Sequence, residues 1–229
     1  MGKCDTTIDA LVPMKAHSER VSDKNIRDFA GEPLFCHVIN EILKSPYVRE
    51  IIVDTDSDII KSEISSRYGG EKIRVIDRPT KLRGDFAPFF DILEYDMGLS
   101  DSEIFLQTHA TNPLLTEETI SNACKFYIDN IDEYDSLFTV NEWHTRLYDV
   151  NGKAINHDPD NLIRTQDLSP IYEENSNIYI FSKESFGKRH NRVGLRPYLY
   201  PMSMIESVDI DTEDEFTLAE AIYQSRISR

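Results

Sequence analysis

The chain has 229 residues, a formal net charge of −16, 40% hydrophobic and 29% charged residues, the composition of a globular protein with one large or two small domains around a buried core. So acidic a chain excludes nucleic acid and anionic membrane as main partners, because both require a basic footprint. No apolar run reaches the roughly 18–20 residues of a membrane span. Cys4, Cys36 and Cys124 lack metal-ligand spacing and read as reduced thiols; with no signal-peptide core, the expected location is the cytoplasm.

In chain order, short β-branched runs alternate with helical stretches. A first strand is expected over residues 8–13. A helix follows over 33–44, with Leu34, Val38, Ile39, Ile42 and Leu43 on one face. The pattern continues with a strand over 51–54 and a helix over 57–68 stopped by Gly69-Gly70. Next come a strand over 73–77, a helix over 88–97 and a strand over 104–108. A helix over 116–130, with Ile120, Cys124 and Tyr127 inward, precedes a strand over 136–140. The rhythm then changes: Asn151-Gly152 marks a tight hairpin turn within 146–157. Strands over 177–181 and 198–202 follow, and a last helix runs from Thr212, whose capping-box partner is Glu215, to about Ser225.

Five strand–helix alternations and a β-rich tail predict an α/β domain of three layers, αβα, with helices on both faces of a mostly parallel, mixed sheet. One domain is expected over 1–229, with residues 141–172 as a β-hairpin excursion serving as a lid or a dimer arm. Ligands of such sheets sit outside the carboxyl ends of the strands. Four candidate places lie there: the loop after Pro13, Asp54-Thr55-Asp56, the loop after Gln107, and the Asp209/Asp211 segment.

The first of these loops carries Lys15, Arg20 and Lys24 with Ser18 and Asn25 between them. Converging cations and polar donors suit a polyphosphate, although a solvated charged loop has the same look. It lacks the glycines of a Walker loop or a dinucleotide fingerprint. Asp209 and Asp211 stand two positions apart on an extended stretch, so both point to one face, where a divalent cation such as Mg2+ would relieve their repulsion. Helix capping alone accounts for Thr212 but not for Asp209. Asp54 and Asp56 have the same spacing and compete for the metal. Tyr198, Tyr200 and Trp143 read as packing residues. No Gly-x-Ser-x-Gly elbow, Cys/His pair or zinc pattern supports a hydrolase.

Several segments, taken jointly in their order and spacing, resemble the acylneuraminate cytidylyltransferases, or CMP-sialic acid synthetases, from about residue 8 to 221. They are Val12-Pro13 with Ser18 and Lys24-Asn25; residues 51–56 (IIVDTD); Asp77-Arg78-Pro79 with Gly84-Asp85; and Leu106-Gln107 with Thr111-Asn112-Pro113-Leu114. Further on are Gln166-Asp167-Leu168, Glu174-Asn175 with Ile178-Tyr179-Ile180, and residues 207–213 (SVDIDTE). The resemblance implies a Rossmann-like nucleotidyltransferase fold, a homodimer, and a reaction of CTP with a 2-keto-3-deoxy sugar acid to give the CMP-sugar and pyrophosphate.

Carried over residue by residue, it implies a nucleotide loop of Lys15, Ser18, Arg20, Lys24 and Asn25, with Arg78 and Asp85 near the base or ribose. Gln107, His109, Arg164, Gln166 and Glu173 would face the sugar, Asp209 and Asp211 would bind Mg2+, and Lys15, Lys24 and Asp211 would be the catalytic groups. The chain departs from the family pattern at several points. Lys15 stands where Arg is usual, Glu19-Arg20 replaces a basic or glycine-rich stretch, and Ala87-Pro88-Phe89 lacks a frequent Ser or Thr. The loop after Gln107 is longer, which makes His109 a substitute for Gln107. Arg164 is displaced by one position, and Glu173 stands for a frequent Arg. The expected substrate is a nonulosonic, nine-carbon acid whose carboxylate meets Arg164. Two other readings remain open: a nucleotide-sugar glycosyltransferase with its metal on Asp54 and Asp56, and a catalytically silent nucleotide-binding homologue.

Overall fold

The computed structural model describes residues 7–16, 21–84 and 86–228. In chain order, β1 (Ile8–Leu11) leads through the first loop to a small hairpin of β2 (Asp28–Phe29) and β3 (Glu32–Pro33), and then α1 (Leu34–Lys44). After it come β4 (Val48–Thr55), α2 (Asp58–Arg67), β5 (Ile73–Asp77), α3 (Phe89–Gly98), β6 (Ile104–Gln107) and α4 (Glu117–Asp129). The remainder is β7 (Ser136–Trp143), β8 (Ile171–Ser182), α5 (Lys183–Arg189), β9 (Pro197–Pro201) and α6 (Glu213–Ile227).

The main sheet has the order β5-β4-β1-β6-β8-β7-β9. β5, β4, β1 and β6 are parallel, β8 is antiparallel to both β6 and β7, and β9 is parallel to β7. Side-chain alternation sorts each strand onto two cores. Ile8 and Ala10 of β1, Ile51 and Val53 of β4, and Ile104 and Leu106 of β6 pack with Phe35, Val38 and Ile39 of α1 and Ile120 and Tyr127 of α4. Their neighbours Leu11, Ile52 and Phe105 point the other way, against Leu93 and Met97 of α3 and Phe186 of α5. A third cluster joins Phe29 and Leu34 to Phe216 and Ala219 of α6. Helices therefore cover both faces of a mostly parallel mixed sheet. No helix among the described residues is long and apolar enough to cross a membrane.

The helix starts follow their caps: Ser57 accepts from Ile60 N, Thr116 from Thr119 N, and Thr212 forms a capping box with Glu215. Other features differ from expectation. The β2–β3 hairpin turns through Ala30 and Gly31, both at positive φ (52° and 97°), the geometry that matches strand twist; two-residue strands leave no period to read. Around Asn151-Gly152 the chain does turn, but only one isolated bridge forms, Tyr148 to Ala154. Tyr148, Val150 and Ile155 are exposed, and a two-stranded hairpin without a buried face is marginal. β8 is longer than expected and bulged: Phe138 pairs with Tyr179 but Val140 with Glu174. The extra residues include Ser176, at φ 57°.

Candidate active site

The chain runs outward from β1 to β4 and β5, then crosses back to β6 on the other side of β1. The β1/β6 junction is thus the topological switch point, where open α/β sheets bind ligands. A cavity of about 480 Å³ opens there, lined by Pro13, Met14 and Lys15 after β1, Arg78 after β5, and His109 to Thr111 after β6. Lys24, Asn25, Phe89, Ile92, Ser176, Arg192, Asp209 and Asp211 complete the wall.

The first loop and the segment before α6 are stitched together. Lys24 Nζ donates to Ile210 O at 2.5 Å and to Asp211 Oδ1 at 3.2 Å, and Asn25 Nδ2 donates to Lys15 O at 3.1 Å. Ile210 N in turn donates to Thr111 O at 2.9 Å, which docks the acidic segment on the loop after β6. Asp209 Oδ1 is buried and has no partner among the described residues. Burial, and then the neighbouring Asp211, raise the Asp209 carboxyl above its ordinary value, against a hydrogen bond from Thr111 that lowers it. An orphaned carboxylate oxygen beside a second carboxylate fits a hard divalent cation. Mg2+ commonly takes one or two protein carboxylates and fills its other positions with phosphate and water.

Asp54 and Asp56 do not make the rival metal pair. Asp54 is buried and accepts from Arg78 Nε, while Asp56 Oδ1 accepts from Ala16 N at 2.8 Å. Arg78 is only 2% exposed, and its Nη2 also reaches Asp54 O at 3.2 Å and Met14 O at 3.4 Å. The Asp-x-Asp spacing is real, but the first carboxylate is the counter-ion of a buried arginine. Behind it lies Asp96, wholly buried with neither oxygen hydrogen-bonded among the described residues. Burial and the adjacent Asp54 push its carboxyl far up, so it holds its proton.

On the β6 side, Gln107 is buried and the cavity wall is His109 instead. Two donors aim at His109 Nε2: Gln107 Nε2 at 3.2 Å and Arg192 Nη1 at 3.4 Å. This network assigns the ring proton to Nδ1. Burial, then Arg192 and Lys24, push His109 down to about 3, so the ring stays neutral throughout the physiological range. It stacks on Phe89 with centroids 5.9 Å apart.

The remaining sugar-side expectations are placed elsewhere. Arg164 is 73% exposed and paired with Asp167 in a 3-10 turn of the excursion, and Gln166 is exposed beside it. Glu173 stands opposite Asn141 in the outer part of β8 and accepts from Asn141 Nδ2 at 3.1 Å and Trp143 Nε1 at 2.9 Å. None of the three lines the cavity. The β7–β8 extension carries them away from the strand ends. Ser18, Arg20 and Asp85 lie outside the described residues. Conversely, Arg192, Phe89 and Ser176 line the cavity without having been anticipated. Ser176 had one signal, the polar Asn175-Ser176-Asn177 break in a strand pattern, which is where the bulge turns a side chain inward.

The pattern of the family described as Cytidylyltransferase matches residues 10–229. An N-acylneuraminate cytidylyltransferase of Streptococcus agalactiae serotype III (strain NEM316) is 30% identical over 214 residues, 90% of this chain and 51% of that protein. The chain thus spans about half the length of that relative. A CMP-N,N'-diacetyllegionaminic acid synthase of Legionella pneumophila (strain Philadelphia 1) is 29% identical over 230 residues, covering 94% of this chain and 95% of that one. Among solved structures, a CMP:2-keto-3-deoxy-manno-octonic acid synthetase complexed with CTP superposes with a TM-score of 0.69 at 14% identity, over 96% of this chain and 100% of that one, a likeness of fold. With nearly the whole chain matched, and a cavity at the switch point walled by lysines and paired aspartates, the chain belongs to the cytidylyltransferase family.

Proposed function

We propose that this chain transfers a cytidylyl group from CTP to the anomeric hydroxyl of a nonulosonic acid, a nine-carbon 2-keto-3-deoxy sugar acid, and releases pyrophosphate. The observation that carries the reading is the junction of Lys24 with Asp211, 187 residues apart in sequence, beside an Asp209 oxygen that has no partner among the described residues. That junction supports the reading because it brings a cation and two carboxylates together on the wall of one cavity. The names of the streptococcal and Legionella relatives support the sugar class.

In this reading the anomeric oxygen bonds to the α-phosphorus as the bridging oxygen of pyrophosphate leaves, and the hydroxyl proton passes to solvent. Such displacements are accelerated mainly by positioning and charge neutralisation. Lys15 and Lys24 offset the triphosphate charge. Asn25 fixes the loop backbone by holding the Lys15 carbonyl, and Arg78 presents a rigid guanidinium on the nucleotide side. Asp209 and Asp211 would hold Mg2+, which when bound offsets phosphate charge and acidifies the attacking hydroxyl. A homodimer in the cytoplasm completes the proposal, with a second copy covering the exposed Leu147, Tyr148, Val150 and Ile155 of the excursion.

The test is an assay of the protein with CTP, UTP, ATP or GTP, Mg2+, and a panel of N-acetylneuraminic, pseudaminic, N,N'-diacetyllegionaminic and 2-keto-3-deoxy-octonic acids. CMP-sugar formed with CTP and a nine-carbon acid supports the proposal. Preference for the eight-carbon acid or for UTP would remove the substrate or the nucleotide assigned here, and no pyrophosphate with any pair would mark a silent homologue.

A further inference from the structure

Arg192 is an arginine whose surroundings leave its charge short of compensation. It lines the cavity with a side chain only 14% exposed. Its guanidinium carbon lies 3.4 Å from the Tyr179 ring centroid and 5.3 Å from that of Phe89, so two rings fix its plane. Nη1 donates to Gln107 Oε1 and faces His109 Nε2, both neutral groups. Among the described residues the carboxylate that reaches it is Glu174, 3.6 Å from Nη2, and the same Glu174 oxygen already accepts from the Tyr179 hydroxyl. Lys24 and Arg78, by contrast, are each engaged by an aspartate, Asp211 and Asp54. A largely buried cation flanked by neutral groups, with a long contact to a carboxylate it shares with the Tyr179 hydroxyl, still gains from an anion that enters the cavity.

Arg192 and the two lysines reach the cavity from different elements. Lys15 and Lys24 come from the first loop, which is docked on residues 209–211. Arg192 arises after α5 and packs on Tyr179 of β8, Phe89 of α3 and Gln107 of β6. A planar, pre-oriented fork is matched by a planar anion that can accept two parallel N–H bonds. We infer that Arg192 is the residue that binds the carboxylate of the sugar acid, in place of the exposed Arg164, with Gln107 and His109 holding the fork in register. The inference rests on the functional reading above and names the group that selects an acid over a neutral ketose.

The experiment compares wild type, Arg192→Lys and Arg192→Gln with the preferred nonulosonic acid and with its methyl ester, in which the carboxylate charge is removed. Wild type should favour the acid by about 100-fold or more in kcat/KM. In Arg192→Gln the acid-to-ester ratio should fall to within about threefold of unity, through loss of the acid alone, while KM for CTP shifts less than about threefold. Arg192→Lys keeps the charge but not the fork and should retain an intermediate ratio of about tenfold. CTP binding by each variant reports that it is folded. An unchanged acid-to-ester ratio in Arg192→Gln, or a loss that falls on KM for CTP, overturns the assignment while the reaction stands. Absence of turnover by wild type with any sugar acid overturns the functional reading and this inference with it.

Discussion

Asp54→Asn should be mild in the wild-type background and severe once Asp96 is also Asn. Asp54 and Asp96 are both wholly buried, and Arg78 Nε donates to Asp54 Oδ1. Asp54 Oδ2 and both Asp96 oxygens find no donor among the described residues. Two carboxylates offer each other no proton, whereas an acid and a carboxylate share one, and it is Asp96 whose carboxyl is pushed up by burial and by Asp54. With Asn at 54, Asp96 can release its proton and supply the charge that Arg78 needs, so the loss should be about 1–2 kcal/mol. With Asn at both positions, the 2%-exposed Arg78 has no carboxylate left, and about 3–5 kcal/mol should be lost, as when one partner of a buried pair is removed. Asp96→Asn alone should stabilise at neutral pH. The unfolded acid ionises near 3.8 while the native one keeps its proton, so the native state binds more protons and loses stability as pH rises above 3.8. The slope of wild type relative to Asp96→Asn should approach 1.4 kcal/mol per pH unit, at most about that value. Urea unfolding of the four proteins at several pH values between 4 and 8.5 measures both quantities. Losses additive to within about 0.5 kcal/mol, or identical pH slopes for wild type and Asp96→Asn, would refute the shared proton.

Asp211→Asn removes a charge from the cavity wall and should lower kcat by about 10²–10³, roughly 3–4 kcal/mol, with the unfolding transition little changed; steady-state kinetics beside a denaturant curve checks both halves. Gly194→Ala should destabilise by about 1–3 kcal/mol. The new Cβ would collide with the Asp135 carboxylate, and Asp135 cannot swing away without releasing the backbone N–H groups of Leu195 and Arg196; thermal unfolding reads the loss. Thr212→Ala breaks the capping box of α6 and should cost about 1 kcal/mol in urea unfolding, with a smaller effect on KM for CTP than Asp211→Asn has.

The alternation that runs through β1, α1, β4, α2, β5, α3, β6 and α4 was legible because the inner strands β1, β4 and β6 are buried on both faces over most of their length. β-branched runs such as Ile51 to Val53 divide between two cores, and helix faces such as Val38, Ile39 and Ile42 keep one side. β2, β3 and α5 are too short to show a period, and α5 reads as a charged surface run. The Asn151-Gly152 signal located a turn but not strands, since Tyr148, Val150 and Ile155 are exposed among the described residues of the single chain.

At the site, spacing alone could not decide which carboxylates face the ligand. Asp54 and Asp209 carry the same Asp-x-Asp pattern, yet Arg78, 24 residues from Asp54, captures one of them. Lys24 and Asp211 meet because the loop after β1 and the segment before α6 come to one end of the sheet; the resemblance assigned both to the site, but no signal pointed to their contact. Arg192 follows Lys188, Arg189 and His190 in a run with no motif that points to a ligand. Its value comes from Tyr179, Phe89 and Gln107, contributed by three other elements. The expectation that Glu173 tunes the sugar pocket is replaced by its bonds to Asn141 and Trp143, which hold the β7–β8 extension together.

If the anomeric oxygen of a sugar acid attacks the α-phosphorus of CTP, that oxygen becomes the bridge of the CMP-sugar and can be followed there. A nonulosonic acid labelled with 18O at its anomeric hydroxyl, incubated with the protein, CTP and Mg2+, should give a CMP-sugar whose bridging oxygen carries the label, with unlabelled pyrophosphate. Mass spectrometry and the 31P isotope shift of the phosphodiester read both products. Label in the pyrophosphate, or release of pyrophosphate with no labelled bridge in any nucleotide product, would contradict the account.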